Sequence, residues 1–273
     1  MNIWRKLKRV VANPAHYTDH YYQKLKDRCL ERRAEAMERR DAAYFLSLKD
    51  KYKGQRGFVI GNGPSLKLDD LNMLIQEVSI ASNKIFMIFK DTPWRPTVYS
   101  IVDDLVWEKI YDQLPAKKLV PVITSQLPAK SIPHHTAKYL GNAADLYSSG
   151  QGLCFSQNVC EGFYGGYSVT FENLQLAAHM GLNPIYLIGC DHYYHGESEV
   201  TPQSQVTEGT QANHFIPGYR APGEIVNPAP IKEMTQAYEV AKKYGDEHGI
   251  KIYNATRGGH LEAFPRVCFD ELF

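Results

Sequence analysis

Short apolar segments recur along the chain, and each ends at a glycine or a polar residue. They lie at residues 57–60, 78–82, 97–102, 119–123, 184–189 and 250–253. Most of them are apolar at successive positions, without the alternation that marks a strand with one face in water. Such runs predict short β-strands that are buried on both faces, as in a parallel sheet.

The longer segments between these runs carry helix signals. We predict helices over residues 20–53, 68–75, 169–180 and 231–248. Ser168 suits the N-cap of the third helix, and Gly181 and Gly249 follow the last residues of the third and fourth. Because strands alternate with helices, the sequence predicts an α/β fold with a mostly parallel sheet and helices on both faces.

Polar residues stand directly after the predicted strands, namely Asn62, Asn83, Asp103, Ser125, Asp191 and Asn254. Ligands of open parallel sheets bind outside the carboxyl ends of the strands. We therefore expect one site assembled from distant segments. Residues 196–230 are rich in Gly, Pro, Gln, Thr and Asn, and we predict an irregular lid over that site.

Charge is distributed unevenly over the 273 residues. The net charge is +1, which gives no reason to expect a nucleic-acid partner. Residues 1–40, however, carry a net charge of +6 and the rest carries −5. We predict a basic helical N-terminal arm at residues 1–55, followed by a catalytic domain at residues 56–273.

The location of the protein follows from the cysteines and from this arm. Five widely spaced cysteines predict a reduced, cytoplasmic protein. No apolar run is long enough for a transmembrane helix. Trp4 and Leu7 fall on one face of a basic helix, which predicts peripheral contact of residues 1–40 with an anionic membrane. The alternative is that the arm packs on the body or on a second subunit of a homo-oligomer.

The turn Gly61-Asn62-Gly63-Pro64-Ser65 follows the first predicted strand and precedes a helix. Glycines there permit positive φ and the close approach of a phosphate to backbone N–H groups. The turn matches neither of the common nucleotide motifs, and a tight strand-to-helix turn is the alternative. Gly165-Gly166-Tyr167-Ser168 opens a helix and is a second candidate anion site by the same argument.

Three further groups are able to carry chemistry. Residues 191–195 read Asp-His-Tyr-Tyr-His after the strongest buried strand, and such a cluster suits ribose, metal or phosphate contacts. His214 lies in the polar segment beside apolar residues and is a candidate general base. Asp103 and Asp104 resemble the metal-binding acidic pair of many glycosyltransferases.

Taken together, the motifs resemble those of a known superfamily. They are FVIGNGPSL at 58–66, SN at 82–83, GGYS at 165–168, IYLIGCD at 185–191 and NAT at 254–256. One branch comprises small bacterial sialyltransferases that cap lipooligosaccharides. The other is the 6-hydroxymethylpterin diphosphokinase-like family, whose domain also occurs in flagellin-modifying glycosyltransferases. The resemblance covers residues 56–273 and implies a Rossmann-like fold.

The sialyltransferase branch implies an inverting transfer of a sialic-acid-like or Kdo-type sugar from a CMP donor to a bacterial surface glycan, as in lipopolysaccharide or capsule synthesis. It needs no metal. His214 would take the acceptor proton, and Tyr193 would bind the departing phosphate. Tyr194 would replace a second tyrosine, whose position is Glu199 here. The residues implied in nucleotide binding are Gly61, Asn62, Gly63, Pro64, Ser65, Asn83, Asp103, Ser168 and Asp191.

Two alternatives stay open at this point. The diphosphokinase-like branch implies ATP-dependent pyrophosphoryl transfer to a hydroxymethylpterin. That chemistry requires Mg²⁺, for which Asp103, Asp104 and Asp191 are the candidate ligands. A non-catalytic module that only binds nucleotide, or a scaffold docked through its basic arm, would keep the turn without needing His214.

Overall fold

The computed structural model describes residues 14–114, 119–124, 126–128, 130, 132–194, 204–205, 213–221, 223–227 and 229–273. The chain divides into two compact units, residues 1–43 and 44–273. Helix α1 spans Pro14–Leu48, and its described side chains from 26 to 40 are solvent-exposed. The apolar face predicted within residues 1–11 lies outside the described residues. The assignment of residues 1–55 as an arm stays a prediction.

Helix α1 ends five residues earlier than the sequence predicts. Lys49–Gly54 form turns instead, and Asp50 has a left-handed backbone with a φ of 53°. The N–H groups of Asp50 and Tyr52 donate to the carbonyls of His179 and Met180, each at 2.9 Å. These bonds to a distant segment satisfy the backbone outside the helix, so the helical pattern of the sequence does not decide where the helix stops.

A seven-stranded parallel sheet forms the centre of residues 44–273. Its strands are β1 (Gly57–Ile60), β2 (Val78–Ser82), β3 (Val98–Ile101), β4 (Val122–Thr124), β5 (His135–Ala137), β8 (Ile185–Ile188) and β11 (Ile252–Asn254). Their order is β11-β8-β1-β2-β3-β4-β5. In register, Phe58 lies between Ser79 of β2 and Tyr186 of β8. The predicted α/β fold with a parallel sheet is confirmed.

Helices and small strands complete this unit. The helices are α2 (Leu68–Met73), α3 (Asp104–Ile110), α4 (Ala143–Ser148), α5 (Val169–His179) and α6 (Ile231–His248), with 3₁₀ turns at Asn83–Ile88 and Phe269–Leu272. Two pairs of short strands lie apart from the main sheet: β6 (Tyr139–Gly141) with β7 (Phe163–Tyr164), and β9 (Ser204–Gln205) with β10 (Ile225–Val226). No helix within the described residues is both long and apolar enough to cross a membrane.

The core consists of two layers, one on each face of the sheet. Val59 of β1 belongs to the layer that includes Leu174 of α5 and Ala237 of α6. Its neighbours Phe58 and Ile60 belong to the opposite layer. Successive residues of a strand point to opposite faces, so each strand feeds both layers. This explains why the strands are apolar at successive positions.

The ends of β1 and β8 approach each other closely. A Cβ atom on Gly61 would overlap the carbonyl oxygen of Gly189, and one on Gly63 would overlap the carboxylate of Asp191. Gly189 itself has a positive φ of 63°. At Gly61 and Gly63 the glycines are required for this approach of two backbones, since neither has a positive φ.

Because the ends of β1 and β8 lie so close together, a single methyl group at Gly61 should strongly destabilise the fold. Gly61→Ala should lower the free energy of unfolding by about 3 kcal/mol, because a backbone carbonyl at the centre of the sheet cannot move aside. Gly141→Ala is the matched control, since its Cβ would meet only the flexible side chain of Leu146 at 3.2 Å, and it should change stability by less than about 1 kcal/mol. Urea unfolding compares the two; equal losses would contradict the steric argument.

Candidate functional site

A cavity of about 490 Å³ lies at the carboxyl edge of the sheet. Segments that follow β1, β2, β3, β4 and β8 line it, together with the start of α5 and part of the segment 213–229. The predicted site residues among its lining are Gly61, Asn62, Gly63, Asn83, Asp103, Ser168, Asp191, Tyr193, Tyr194 and His214. Pro64 and Ser65 are not among the lining residues. The sheet therefore brings most of the predicted residues to one cavity.

The backbone N–H groups of both glycines in the Gly61–Ser65 turn are hydrogen-bonded within the protein. The N–H of Gly61 donates to Ile188 O at 2.8 Å, and that of Gly63 donates to Gly189 O at 2.8 Å. Neither glycine has a positive φ. The last residue of β8 and the residue after it occupy both donors, and Asn62 is the residue of the turn that brings a side chain to the cavity.

Two asparagine side chains bring unsatisfied acceptors to the cavity. Asn62 Nδ2 donates to Ser82 O at 3.3 Å, whereas its Oδ1 is buried and has no partner among the described residues. Asn83 Oδ1 is likewise buried and has no hydrogen-bond partner among the described residues. Asn83 has a left-handed backbone with a φ of 55°, and the hydroxyl of Tyr99 donates to its carbonyl. Both amides suit hydroxyl or amine donors of a ligand.

Asp191 holds the turn in place. Its carboxylate accepts the Ser65 hydroxyl at 2.7 Å and the Ser65 N–H at 3.2 Å. Burial raises the pKa of Asp191, and the bonds from Ser65 oppose this rise. Ser65 thus acts on Asp191, and most of the hydrogen-bonding capacity of Asp191 serves the β1 turn.

Ser168 caps α5 at the edge of the cavity. Its hydroxyl accepts the N–H of Thr170 at 3.2 Å and the hydroxyl of Tyr238 at 3.1 Å. Tyr167, just before it, has a positive φ of 62°, a conformation that is uncommon for a bulky residue. The helix end and its dipole face the cavity, which favours an anion there.

The residues after β8 fall into two groups. His192 is buried, and its Nε2 lies 2.7 Å from the Thr235 hydroxyl. Burial first, and then the charge of His260, lower the pKa of His192. Tyr193 is exposed and lies beside the His260 ring, with centroids 5.2 Å apart. Tyr193 and Tyr194 line the cavity, whereas His195 and Glu199 lie outside the described residues.

His214 is partly buried in the cavity wall. Its ring stacks on Tyr219, with centroids 3.8 Å apart and planes at 7°. Burial, followed by the positive charges of Arg220 and Lys84, lowers the pKa of His214 to about 3. The imidazole is therefore neutral near pH 7. A neutral imidazole is the form that accepts a proton.

An ion cluster anchors the segment that carries His214. Glu224 accepts Lys84 Nζ at 3.1 Å, Lys109 Nζ at 3.1 Å and the N–H of Ala221 at 2.8 Å. Lys84 also donates to Tyr219 O at 2.5 Å. At the other end, the N–H of Phe215 donates to Asn62 O at 3.2 Å. Of the predicted lid, residues 196–203, 206–212, 222 and 228 lie outside the described residues.

The acidic residues named as metal ligands do not converge. Asp103 Oδ1 caps α3 through the N–H of Val106 at 3.1 Å, and Asn227 Nδ2 donates to Asp103 at 3.1 Å and to Asp104 at 3.0 Å. Asp191 is bound to Ser65. Within the described part of the chain, no group of three or more His, Cys, Asp or Glu side chains is arranged to hold a metal ion.

Some cavity residues escaped the sequence reasoning. Arg220 lines the cavity, and its buried Nε has no partner among the described residues. Glu172 lies on α5, is buried, and also lines the cavity. The signal for Glu172 was a single acidic residue within the otherwise buried helix 169–179. Nothing in the local sequence marks Arg220.

Comparison with protein families gives one assignment. A family model described as MptE-like, 6-hydroxymethylpterin diphosphokinase MptE-like, matches residues 33–197, more than half of the chain. The chain belongs to the MptE-like family. This confirms the superfamily suspected from the motifs. Comparison with curated protein sequences finds no significant match.

Two solved structures are similar to the chain. The MAf glycosyltransferase from Magnetospirillum magneticum AMB-1 has a TM-score of 0.50 and 14% identity over 88% of this chain. The chain spans only 39% of the length of that protein. The sialyltransferase CstII from Campylobacter jejuni, solved with the substrate analogue CMP-3FNeuAc, has a TM-score of 0.42 and 14% identity over 78% of this chain and 86% of its own. At this identity the first similarity establishes the fold.

If the ion cluster around Glu224 anchors the segment that carries His214, removing the charge of Glu224 should destabilise the fold. Glu224→Gln should lower the free energy of unfolding by about 2 kcal/mol, because two lysines lose a partner that is almost fully buried. The control is Glu108→Gln, which breaks a pair with Lys130 in which Glu108 is 47% exposed and should cost less than about 1 kcal/mol. Urea unfolding measures both. A Glu224→Gln loss no larger than that of the control would contradict the anchoring role.

Proposed function

We propose that the chain is a glycosyltransferase that moves a sialic-acid-like or Kdo-type sugar from a CMP donor to a glycan acceptor by inverting displacement. The observation that carries the proposal is His214, which is partly buried and neutral in the wall of the cavity that Asn62, Asn83 and Ser168 also line. A proton acceptor therefore stands in the same cavity as the groups suited to a nucleotide. The glycosyltransferase fold of the first structural neighbour supports this choice by analogy.

In the proposed reaction an acceptor hydroxyl attacks the anomeric carbon of the donor sugar. The new bond joins the acceptor oxygen to that carbon, the bond from the carbon to the phosphate oxygen breaks, and CMP departs with the bonding pair. The acceptor proton passes to His214. Tyr193 and Tyr194 donate hydrogen bonds to the departing phosphate, where negative charge develops.

Arg220 supplies the charge for an anionic donor. Its Nε is a buried donor without a partner among the described residues, and the donor sugar proposed here carries both a phosphate and a carboxylate. A guanidinium suits either anion. Since no metal is needed to neutralise a monophosphate diester, the positive charge comes from the protein in this proposal.

The low pKa of His214 is consistent with a base that becomes stronger when the donor binds. With a pKa of about 3, the imidazole is neutral but a weak proton acceptor. Arg220 and Lys84 contribute to this depression. An anionic donor beside them would offset their charge and raise the pKa of His214. Base strength would then appear only in the donor complex.

The family description favours a second candidate, an ATP-dependent diphosphokinase. Asp103 and Asp104 line the cavity together, and Mg²⁺ is commonly bound by one or two carboxylates plus substrate phosphates. The described residues form no cluster of three acidic or histidine ligands, so a triphosphate would have to supply the remaining oxygens. We rank this candidate second.

The proposal extends to the setting of the reaction. The charge of +6 over residues 1–40 supports a cytoplasmic protein whose basic arm contacts an anionic membrane surface. A lipid-linked or surface glycan acceptor would be presented at such a surface. The arm would also serve as a contact between subunits of a homo-oligomer.

The nucleotide distinguishes the two enzymes. CMP without metal should raise the melting temperature by several degrees, since a ligand at 100 times its Kd stabilises by about 2.7 kcal/mol. Thermal-shift measurements with CMP, CDP, UDP and ATP, each with and without Mg²⁺, provide the comparison. Stabilisation by ATP with Mg²⁺ and none by CMP would reject the glycosyltransferase and favour the diphosphokinase.

Removing the imidazole should abolish most of the turnover. His214→Ala should lower kcat for sugar transfer by about 10²- to 10⁴-fold, the usual contribution of a general base, and change the Kd for CMP by less than about threefold. His248→Ala, at the exposed end of α6, is the control and should leave both values unchanged. Equal turnover in the two variants would remove His214 from the mechanism.

The pKa of His214 should rise when the donor binds. Followed by NMR of the imidazole C–H resonances, the titration should lie near pH 3 in the free protein and shift to higher pH with CMP bound. The kcat in the donor complex should then increase with pH through the raised pKa, as expected for a base. A pKa that stays constant or falls on binding CMP would contradict the charge argument.

A further inference from the structure

Glu172 has a buried carboxyl group, and only one of its two oxygens has a hydrogen-bond partner among the described residues. It lies four residues after the N-cap Ser168 on α5, its exposed fraction is 4%, and it lines the cavity. The hydroxyl of Tyr139 donates to its Oε1 at 2.5 Å. Its Oε2 is buried and has no hydrogen-bond partner among the described residues.

Among the residues that the structure describes, this carboxyl has no cation to balance a charge. None of the ion pairs among the described residues includes Glu172, and the ionisable group that faces it is Tyr139. Burial raises the pKa of Glu172 to about 8. An unpaired buried carboxylate is costly, and a carboxylic acid avoids that cost by keeping its proton.

The bond from Tyr139 decides where that proton resides. Because Oε1 already accepts a hydrogen bond, the acid proton is placed on Oε2. A protonated carboxyl donates one hydrogen bond from its hydroxyl. Glu172 therefore offers the cavity a donor, where an ionised glutamate would offer only acceptors.

Glu172 is bound to other elements than the cations are. Tyr139 is on β6, just after β5, and the adjacent Asn173 accepts the hydroxyl of Ser100 on β3 at 2.6 Å. By contrast, the segment of His214 and Arg220 is tied to residues that follow β1 and β2. A nucleotide has a neutral base besides its charged phosphate, and an uncharged carboxylic acid suits the base.

We propose that Glu172 reads the base of the bound nucleotide, with Oε2 as the hydrogen-bond donor to a ring nitrogen. This inference rests on the proposed nucleotide-dependent function and specifies its substrate. Cytosine presents an unprotonated ring nitrogen beside its amino group, and adenine has the same edge. Uracil and guanine carry N–H donors at the corresponding ring positions, so that the two donors would oppose each other.

Calorimetric titration of CMP, AMP, UMP and GMP into the full chain tests the assignment. The wild type should bind CMP at least about tenfold more tightly than UMP, the expected effect of leaving a buried donor unpaired. Glu172→Gln keeps an N–H donor in place of the acid and should retain the CMP affinity within about threefold. Glu172→Leu should weaken CMP by about 10- to 100-fold and leave UMP unchanged.

The pH dependence of CMP binding should differ between the wild type, which carries the acid, and Glu172→Gln, which carries an amide. Above pH 8 the wild type must regain a proton to bind, so its affinity for CMP should fall by about tenfold per pH unit. Glu172→Gln should show no such fall. A Glu172→Leu variant with wild-type CMP affinity, or a Glu172→Gln variant as weak as Glu172→Leu, would overturn the proposal.

A replacement variant and the relative affinities of the nucleotides complete the test. If circular dichroism shows that Glu172→Leu does not fold, Tyr139→Phe replaces it as the test variant. Without the Tyr139 hydroxyl, the acid proton of Glu172 is no longer fixed on one oxygen, and the preference for CMP over UMP should become smaller. An unchanged preference would overturn the proposal. Tighter binding of AMP than CMP supports base reading by Glu172 but rejects the CMP donor. Binding of no nucleotide rejects both proposals, and CMP binding that is independent of Glu172 rejects only this one.

Discussion

The contact between the ends of β1 and β8 determines the geometry of the site. Gly61 and Gly63 bring the first loop against Gly189 and Asp191 so closely that side chains are excluded. The paired residues Val59 of β1 and Leu187 of β8 are 128 positions apart in the sequence, and their two strands thereby open into one cavity. The hydrogen bonds that stabilise the approach also occupy the N–H groups of both glycines. Asn62 is consequently the residue of this turn that brings a side chain to the cavity.

The sequence was sufficient to predict the architecture because the strands carry their own signal. Six apolar runs correspond to strands of the central sheet, and the residues after them, including Asn62, Asn83, Asp103 and Asp191, line one cavity. Strand β5 escaped prediction because it has only three residues and none of them is strongly apolar. The end of an apolar run can be identified from the local sequence alone, and it marks the end of the strand in the folded protein.

What could not be predicted depends on partners that are distant in sequence. From the sequence the glycine turn was either a phosphate cradle or a tight turn, and only the structure shows that the N–H groups of Gly61 and Gly63 donate to Ile188 and Gly189. The same holds for Glu172, whose raised pKa arises from its burial in the folded chain. It also holds for Arg220 and for the early end of α1, which depends on the carbonyls of His179 and Met180. The roles of the site residues accordingly remain predictions, with their placement now defined.

The adjacency of Asn83 and Lys84 links two parts of the site. Asn83 lines the cavity, and the next residue, Lys84, donates to the carbonyl of Tyr219, whose ring stacks on His214. Under the proposed function, these contacts would link nucleotide binding at Asn83 to the position of the His214 imidazole. Such coupling would favour an ordered reaction, in which the acceptor meets a correctly placed imidazole only after the donor has bound.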